Sequence, residues 1–167
     1  MARICDEGHE KLIMELGRTL MERGGMLAAA ESCTGGLIAH LTTNISGSSQ
    51  WFAGAVVAYA NQVKSTVLNV PEAVIAARGA VSREVVLAMA SGVRQLLNTQ
   101  AALAVSGIAG PDGGTPDKPV GTVWVAWSYK EYQHSACLHF SGSRLEIKRQ
   151  SALASLKGML EMLREKH

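Results

Sequence analysis

Three short segments hold the residues of this 167-residue chain that could do chemistry: Glu31-Ser32-Cys33-Thr34-Gly35-Gly36, Tyr59 to Lys64, and Ser106 to Gly114. Each is rich in small or polar residues and directly follows an apolar run. In the first, a serine hydroxyl is presented on a turn from a strand into a helix. Gly35 and Gly36 behind it let a substrate reach the free N–H groups of the helix start, which can stabilise an oxyanion. The competing role for Ser32 or Thr34 is helix capping. A serine needs a base, because its hydroxyl is not appreciably ionised at neutral pH. The five histidines are His9, His40, His134, His139 and His167, and none follows a strand in these segments. Lys64 does lie just past the second apolar run, with Tyr59 five residues before it. A lysine serves as base when burial or nearby positive charge lowers its pKa, and a Ser–Lys pair can then replace Ser–His. Taken singly, Lys64 reads as an exposed helix lysine and Tyr59 as a packing residue. Only together do they point to acyl chemistry.

Cys33 is the rival nucleophile, since a helix start lowers a thiol pKa. Cysteine hydrolases rely on a histidine partner, however, and none is placed for it. Its expected role is a small buried contact whose N–H faces the substrate. Metal chemistry finds little support: His134 and His139 are five apart and point to opposite faces of one strand. Cys137 with His139 supplies only two ligands, too few for a zinc site. Neither a metal nor a cofactor is expected. The segment Ser106 to Gly114 lacks the Gly-Lys-Ser/Thr ending of a phosphate loop, yet a glycine-rich loop can wrap a ligand through its amides. A long turn is the equal alternative. The densest basic patch is Arg144, Lys148 and Arg149, read as a solvated helix face. Arg144 at the helix start keeps an anion site open.

The elements that must position these residues follow from hydrophobic spacing. Ile4, Leu12, Ile13, Leu16, Leu20 and Met21 predict a helix from about Asp6 to Arg23, ending at Gly24-Gly25. Met26 to Ala30 reads as a buried strand, Leu37 to Thr43 as a helix, and Ala55 to Tyr59 as a second strand. Asn61 to Leu68 predicts a short helix, and Pro71 opens another. Ser82 caps a further helix that carries Val85, Val86, Met89, Val93 and Leu96 inward. Ala101 to Val105 is a third strand, Val120 to Tyr129 and His134 to Phe140 form a hairpin, and Ile147 to Leu163 is a closing amphipathic helix. Alternating strands and helices predict one α/β domain over residues 1–167: a three-layer α/β/α sandwich with a mixed, mostly parallel sheet. In such sheets, sites form beyond the carboxyl ends of the strands.

Composition narrows the partners. With 47% hydrophobic residues the chain can bury a core, and a net charge of +2 is too small to indicate nucleic acid. Cys5, Cys33 and Cys137 are odd in number and loosely spaced, as suits a reducing compartment. No secretory leader pattern and no membrane-length apolar run is evident. The expectation is a cytoplasmic chain, with self-association left open.

Six segments resemble the CinA carboxy-terminal domain family, in order along nearly the whole chain. They are Ala30 to Gly36, Gly47-Ser48-Ser49-Gln50-Trp51-Phe52, Tyr59-Ala60-Asn61-Gln62-Val63-Lys64, Gly79-Ala80-Val81-Ser82, Gly107 to Gly114, and Lys118-Pro119-Val120-Gly121-Thr122-Val123. The resemblance implies that a chain of this size converts nicotinamide mononucleotide to nicotinate mononucleotide and ammonia. The family's Ser–Lys pair with a supporting tyrosine falls on Ser32, Lys64 and Tyr59. Its arginine near the last helix falls on Arg144, although Ser143 stands where aspartate is common. Backbone amides of Cys33, Thr34, Gly35 and Gly36 become the expected oxyanion donors. Ser48, Ser106, Gly107 and Arg144 become the expected ribose or phosphate contacts. Larger family members carry a further amino-terminal domain, whose activity is not expected here. The rival reading is a catalytically silent, ligand-binding or regulatory domain on the same fold.

Overall fold

The computed structural model describes residues 7–165, so the expectations that fell on Ile4, Cys5, Asp6 and His167 lie outside the described residues. Helix α1 (Glu7–Glu22) buries Ile13, Leu16 and Leu20 and ends at Gly24, whose φ of 62° suits only a residue without Cβ strain. Strand β1 (Leu27–Glu31) is buried at every position. It passes through a turn into α2 (Leu37–Thr43), and one 3-10 turn, Ser48–Gln50, leads to β2 (Phe52–Val57). Helices α3 (Asn61–Leu68), α4 (Glu72–Arg78) and α5 (Arg83–Leu96) follow. Pro71 stands at the entry to α4 as expected. The Ser82 hydroxyl caps α5 by accepting from Val85 N at 3.4 Å. Strand β3 (Ala101–Gly107), the hairpin β4 (Thr122–Tyr129) and β5 (Tyr132–His139), and α6 (Arg144–Glu165) complete the chain.

The five strands lie in the order β2-β1-β3-β4-β5. The β1–β2 and β1–β3 ladders are parallel, while β3–β4 and β4–β5 are antiparallel. Four strands therefore run in one direction and only β4 runs against them. Alternation along the strands sends side chains to two cores. Leu27, Ala29, Leu103 and Val105 meet α1, α2 and α6, while Ala28, Ala30, Ala102 and Ala104 meet α3 and α5. The alanine face lets helices approach closely. A Cβ on Gly92 of α5 would stand 2.0 Å from the Leu68 carbonyl oxygen, so α3 rests on bare backbone there. On the other face Trp127 fills a notch at Gly158 and donates from Nε1 to the Ser155 carbonyl at 2.7 Å.

Three expectations need correction. Leu96 is 51% exposed rather than inward, and Leu97, just past the end of α5, packs against the core instead. Strand β2 begins and ends earlier than the β-branched run indicated, because its partner β1 ends at Glu31, which pairs with Val57. Ala58 and Tyr59 thereby leave the sheet and become loop. Helix α6 starts at Arg144, three residues before the apolar pattern. Its start is a reciprocal cap: Ser143 N and Oγ both donate to Glu146 Oε2, at 2.7 and 2.6 Å, and Glu146 N returns a bond to Ser143 Oγ.

Candidate active site

Parallel β1, β2 and β3 deliver the three sequence-flagged segments to one edge of the sheet. Glu31 pairs with both Val57 and Val105, so β1 and β2 end at the same level and β3 runs two residues further. A cleft of about 190 Å³ opens there, lined by Ser32, Cys33, Tyr59, Lys64, Ser106, Gly107 and Arg144, together with Asn61, Ala80, Val81 and Ala109. Larger clefts of about 400 and 590 Å³ lie beside β5 and beside α1. Among the described residues, neither has a serine or cysteine hydrogen-bonded to a lysine or histidine, so size does not decide the assignment.

Lys64 is 1% exposed. Its position on the second turn of α3 sends the amine back over the loop just traversed. Nζ lies 2.9 Å from the Ala58 carbonyl oxygen, 3.2 Å from that of Tyr59 and 3.1 Å from Ser32 Oγ. Carbonyl oxygens only accept, whereas a hydroxyl can also donate. Nζ donates to all three oxygens, as the three N–H groups of an ammonium can; on losing a proton the amine keeps both carbonyl bonds and turns its lone pair to the Ser32 O–H. Burial pushes the Lys64 pKa below its ordinary value of 10.5. Among the described residues no carboxylate forms an ion pair with it.

The turn holding Ser32 is fixed from beneath by a residue that sequence reasoning passed over. Glu31 ends β1 pointing toward α2 and is fully buried. Its Oε2 accepts from Thr34 Oγ1 at 2.7 Å, Gly36 N at 3.0 Å and Ile38 N at 3.1 Å, while Oε1 accepts from Ala39 N at 2.9 Å. A buried acid directly before a helix start, where anions are stabilised, was the signal available. The consequence overturns part of the expected oxyanion site. The positive end of α2 is plugged by Glu31, so Gly36 N is not free, and Gly35 N donates to the Ser32 carbonyl at 3.1 Å. The N–H groups of Cys33 and Thr34 donate to no other described residue, and they alone of the four expected amides remain for a ligand. The Thr34 side chain is buried, bonded to Glu31, and is not among the residues lining the cleft.

Cys33 does not compete as nucleophile. Burial pushes its thiol up to about 12, and Glu31 adds to the rise; its own backbone N–H, Lys148 and Lys64 pull only partly the other way. Tyr59 is 61% exposed, and it supports Lys64 through its carbonyl rather than its phenol. The phenolic oxygen instead accepts from Arg144 Nη2 at 3.0 Å, while Arg144 Nη1 donates to the Gly110 carbonyl at 2.6 Å. Ser106 lines the cleft, but its hydroxyl is committed to the Ala80 carbonyl at 2.8 Å. That bond holds the wall carrying Val81, which Lys118 also grips by donating to the Val81 carbonyl at 2.8 Å. Gly107 lines the cleft, and β4 sets its size: a Cβ there would lie 2.9 Å from the Thr122 carbonyl oxygen.

Ser48 is not part of this site. It precedes β2, at the edge where Leu27 pairs with Phe52, whereas Ser32 follows the opposite ends of the strands. A five-residue strand separates the two by roughly 15 Å. Of the metal candidates, His134 stacks on Trp127 with ring centroids 5.9 Å apart. Among the described residues no group of three or more His, Cys, Asp or Glu side chains could hold a metal ion. Cys33 and Cys137 are free thiols.

Fold and cleft together define a class: an α/β/α sandwich that sets a serine hydroxyl against a dehydrated lysine at the carboxyl edge of its parallel strands. The CinA C-terminal domain model matches residues 9–163, and the chain belongs to that family. It is 45% identical over 151 residues to a Pseudomonas putida protein named nicotinamide-nucleotide amidohydrolase PncC, covering 90% of this chain and 94% of that one. A CinA-like protein of Salinibacter ruber is 48% identical over 154 residues, but the chain spans only 37% of its length. A solved structure of the competence damage-inducible protein A from Klebsiella pneumoniae superposes with a TM-score of 0.92 at 33% identity, over 95% of this chain and 99% of that one.

Proposed function

We propose that this chain hydrolyses the carboxamide of nicotinamide mononucleotide to nicotinate mononucleotide and ammonia, as a cytoplasmic step of pyridine nucleotide recycling. The reading rests on the 3.1 Å contact between Lys64 Nζ and Ser32 Oγ, in a chain 45% identical to a protein named for that reaction. Neutral Lys64 takes the Ser32 proton as Oγ attacks the carboxamide carbon. The N–H groups of Cys33 and Thr34 receive the developing oxyanion. When the tetrahedral intermediate collapses, Lys64 returns the proton to the departing nitrogen and ammonia leaves an ester on Ser32. Water then attacks that ester, Lys64 accepts a proton from it, and Ser32 regains the proton as the acid departs. Every proton transfer runs through one amine, so the cycle requires no metal or cofactor. Arg144 serves at the mouth of the cleft, held there by the Tyr59 phenol.

The test is ammonia release from nicotinamide mononucleotide by the purified protein and by Ser32→Ala. The wild type releases ammonia, while the variant keeps its fold and loses at least a thousandfold in rate, in line with removal of a nucleophile. Full activity in Ser32→Ala would overturn the mechanism. Absence of activity in the wild type, across a panel of amides, would instead favour a silent ligand-binding domain.

A further inference from the structure

The basic patch on α6 is not one solvated face. Arg149 lies in a separate cleft with His9 and Gln150. Arg144 and Lys148 are one helical turn apart and emerge on the same side, toward the nucleophile turn. Lys148 Nζ lies 3.4 Å from the place a Cβ would occupy on Gly35. It is half-buried, and among the described residues it forms no ion pair and donates no hydrogen bond. A cation drawn partly out of water beside a catalytic turn, with no counter-charge, is poised for an anion that arrives with a ligand. Its field reaches into the cleft, since it favours the thiolate form of Cys33 alongside Lys64. Arg144 spends two N–H groups on the Gly110 carbonyl and the Tyr59 phenol. A guanidinium has five, so three remain for a ligand.

We propose that Lys148 and Arg144 form a two-point clamp for the phosphate of the nucleotide substrate, with Lys148 a binding residue in its own right. Gly35 itself is held by its backbone, at a φ of 62°, and Lys148 passes it at ordinary van der Waals distance. The proposal deepens the amidohydrolase reading and rests on it for the identity of the substrate.

The experiment compares nicotinamide mononucleotide with nicotinamide riboside, which has the same amide and sugar but no phosphate. In Lys148→Met, the preference for the mononucleotide, taken as the ratio of kcat/KM values, falls on the order of tenfold. A charge-assisted hydrogen bond lost at a half-solvated site gives about that much. The fall lies in KM rather than kcat, and Lys148→Arg restores most of it because the charge is kept. Equal losses on both substrates, or no loss on either, refute the clamp. Binding of ribose 5-phosphate and of ribose to Ser32→Ala, measured by calorimetry, separates the two readings. Phosphate-selective binding that weakens about tenfold on adding Lys148→Met supports the clamp even where no amide is cleaved. If ribose 5-phosphate binds no tighter than ribose, the clamp falls while ammonia release by the wild type still stands.

Discussion

Replacing Lys64 by methionine separates its catalytic role from its structural one. The substitution keeps the length of the buried stem and removes the amine. Two carbonyls, Ala58 at 2.9 Å and Tyr59 at 3.2 Å, lose their donor. Leaving a buried acceptor unsatisfied costs about 1–3 kcal/mol. Against that stands relief from holding an amine at 1% exposure with its pKa pushed down by burial. The two contributions oppose each other, so unfolding free energy at neutral pH should change by less than about 2 kcal/mol. The rate should not be spared: general-base catalysis contributes about 10²–10⁴-fold, or roughly 3–5 kcal/mol of barrier. Lys64→Arg should be comparably inactive, because a guanidinium does not surrender its proton. The assay pairs steady-state ammonia release with urea unfolding of each variant. In the wild type, kcat/KM should fall with unit slope as pH drops below the lowered Lys64 pKa, reporting the free enzyme's base. Stability carries the same signature. Between that lowered value and 10.5 the unfolded chain binds the extra proton, so the wild type gains stability over Lys64→Met as pH rises through the window. A methionine variant that unfolds normally and retains more than a tenth of the rate would refute Lys64 as the base.

Three other outcomes test the surrounding architecture. Cys33→Ala should keep at least a third of the ammonia-release rate, and wild-type Cys33 should resist iodoacetamide, because a thiol held at about 12 is almost wholly protonated at pH 8. Glu31→Gln sets an amide N–H against one of four donors beneath the nucleophile turn. It should lower unfolding free energy by about 1–3 kcal/mol and reduce kcat more than it raises KM, as read by denaturant titration and kinetics. Gly92→Ala forces the Leu68 carbonyl, now 2.0 Å from the added Cβ position, to retreat by about 1 Å. That carbonyl lies one turn beyond Lys64 on α3. The variant should lose about 1–3 kcal/mol of stability and on the order of 10²-fold in rate, although it touches no cleft residue.

Much of the site was legible before any coordinates because its parts obey local rules. Small polar residues after an apolar run mark the exit of a buried strand, and parallel strands bring their exits to one edge. Ser32 and Lys64 could therefore be paired across 31 intervening residues, and α2 and α3 fall within the expected bounds of Leu37–Thr43 and Asn61–Leu68. Ser48 was expected at the site only through the family resemblance; read by itself, its small polar motif announces a turn without saying at which end of a strand it lies. Tyr59 was expected beside Lys64 only as a supporting residue; because β2 ends at Val57, the loop turns its carbonyl rather than its ring toward the amine. Leu96 followed helical spacing one residue too far, since the last turn of a helix answers to its neighbours as much as to its period.

Sequence alone determined the alternation of elements, the two cores and the residue types at the exits of the strands, because strand and helix periodicities and glycine's tolerance of positive φ are properties of short segments. Only the tertiary structure decided which donors remain free. The helix start that would ordinarily hold an oxyanion is occupied by Glu31, the Ser106 hydroxyl is committed to Ala80, and the Lys64 amine is stripped of water by α3 folding back over its own entry loop. Desolvation and hydrogen-bond competition depend on what packs from elsewhere in the chain, and no local pattern encodes them.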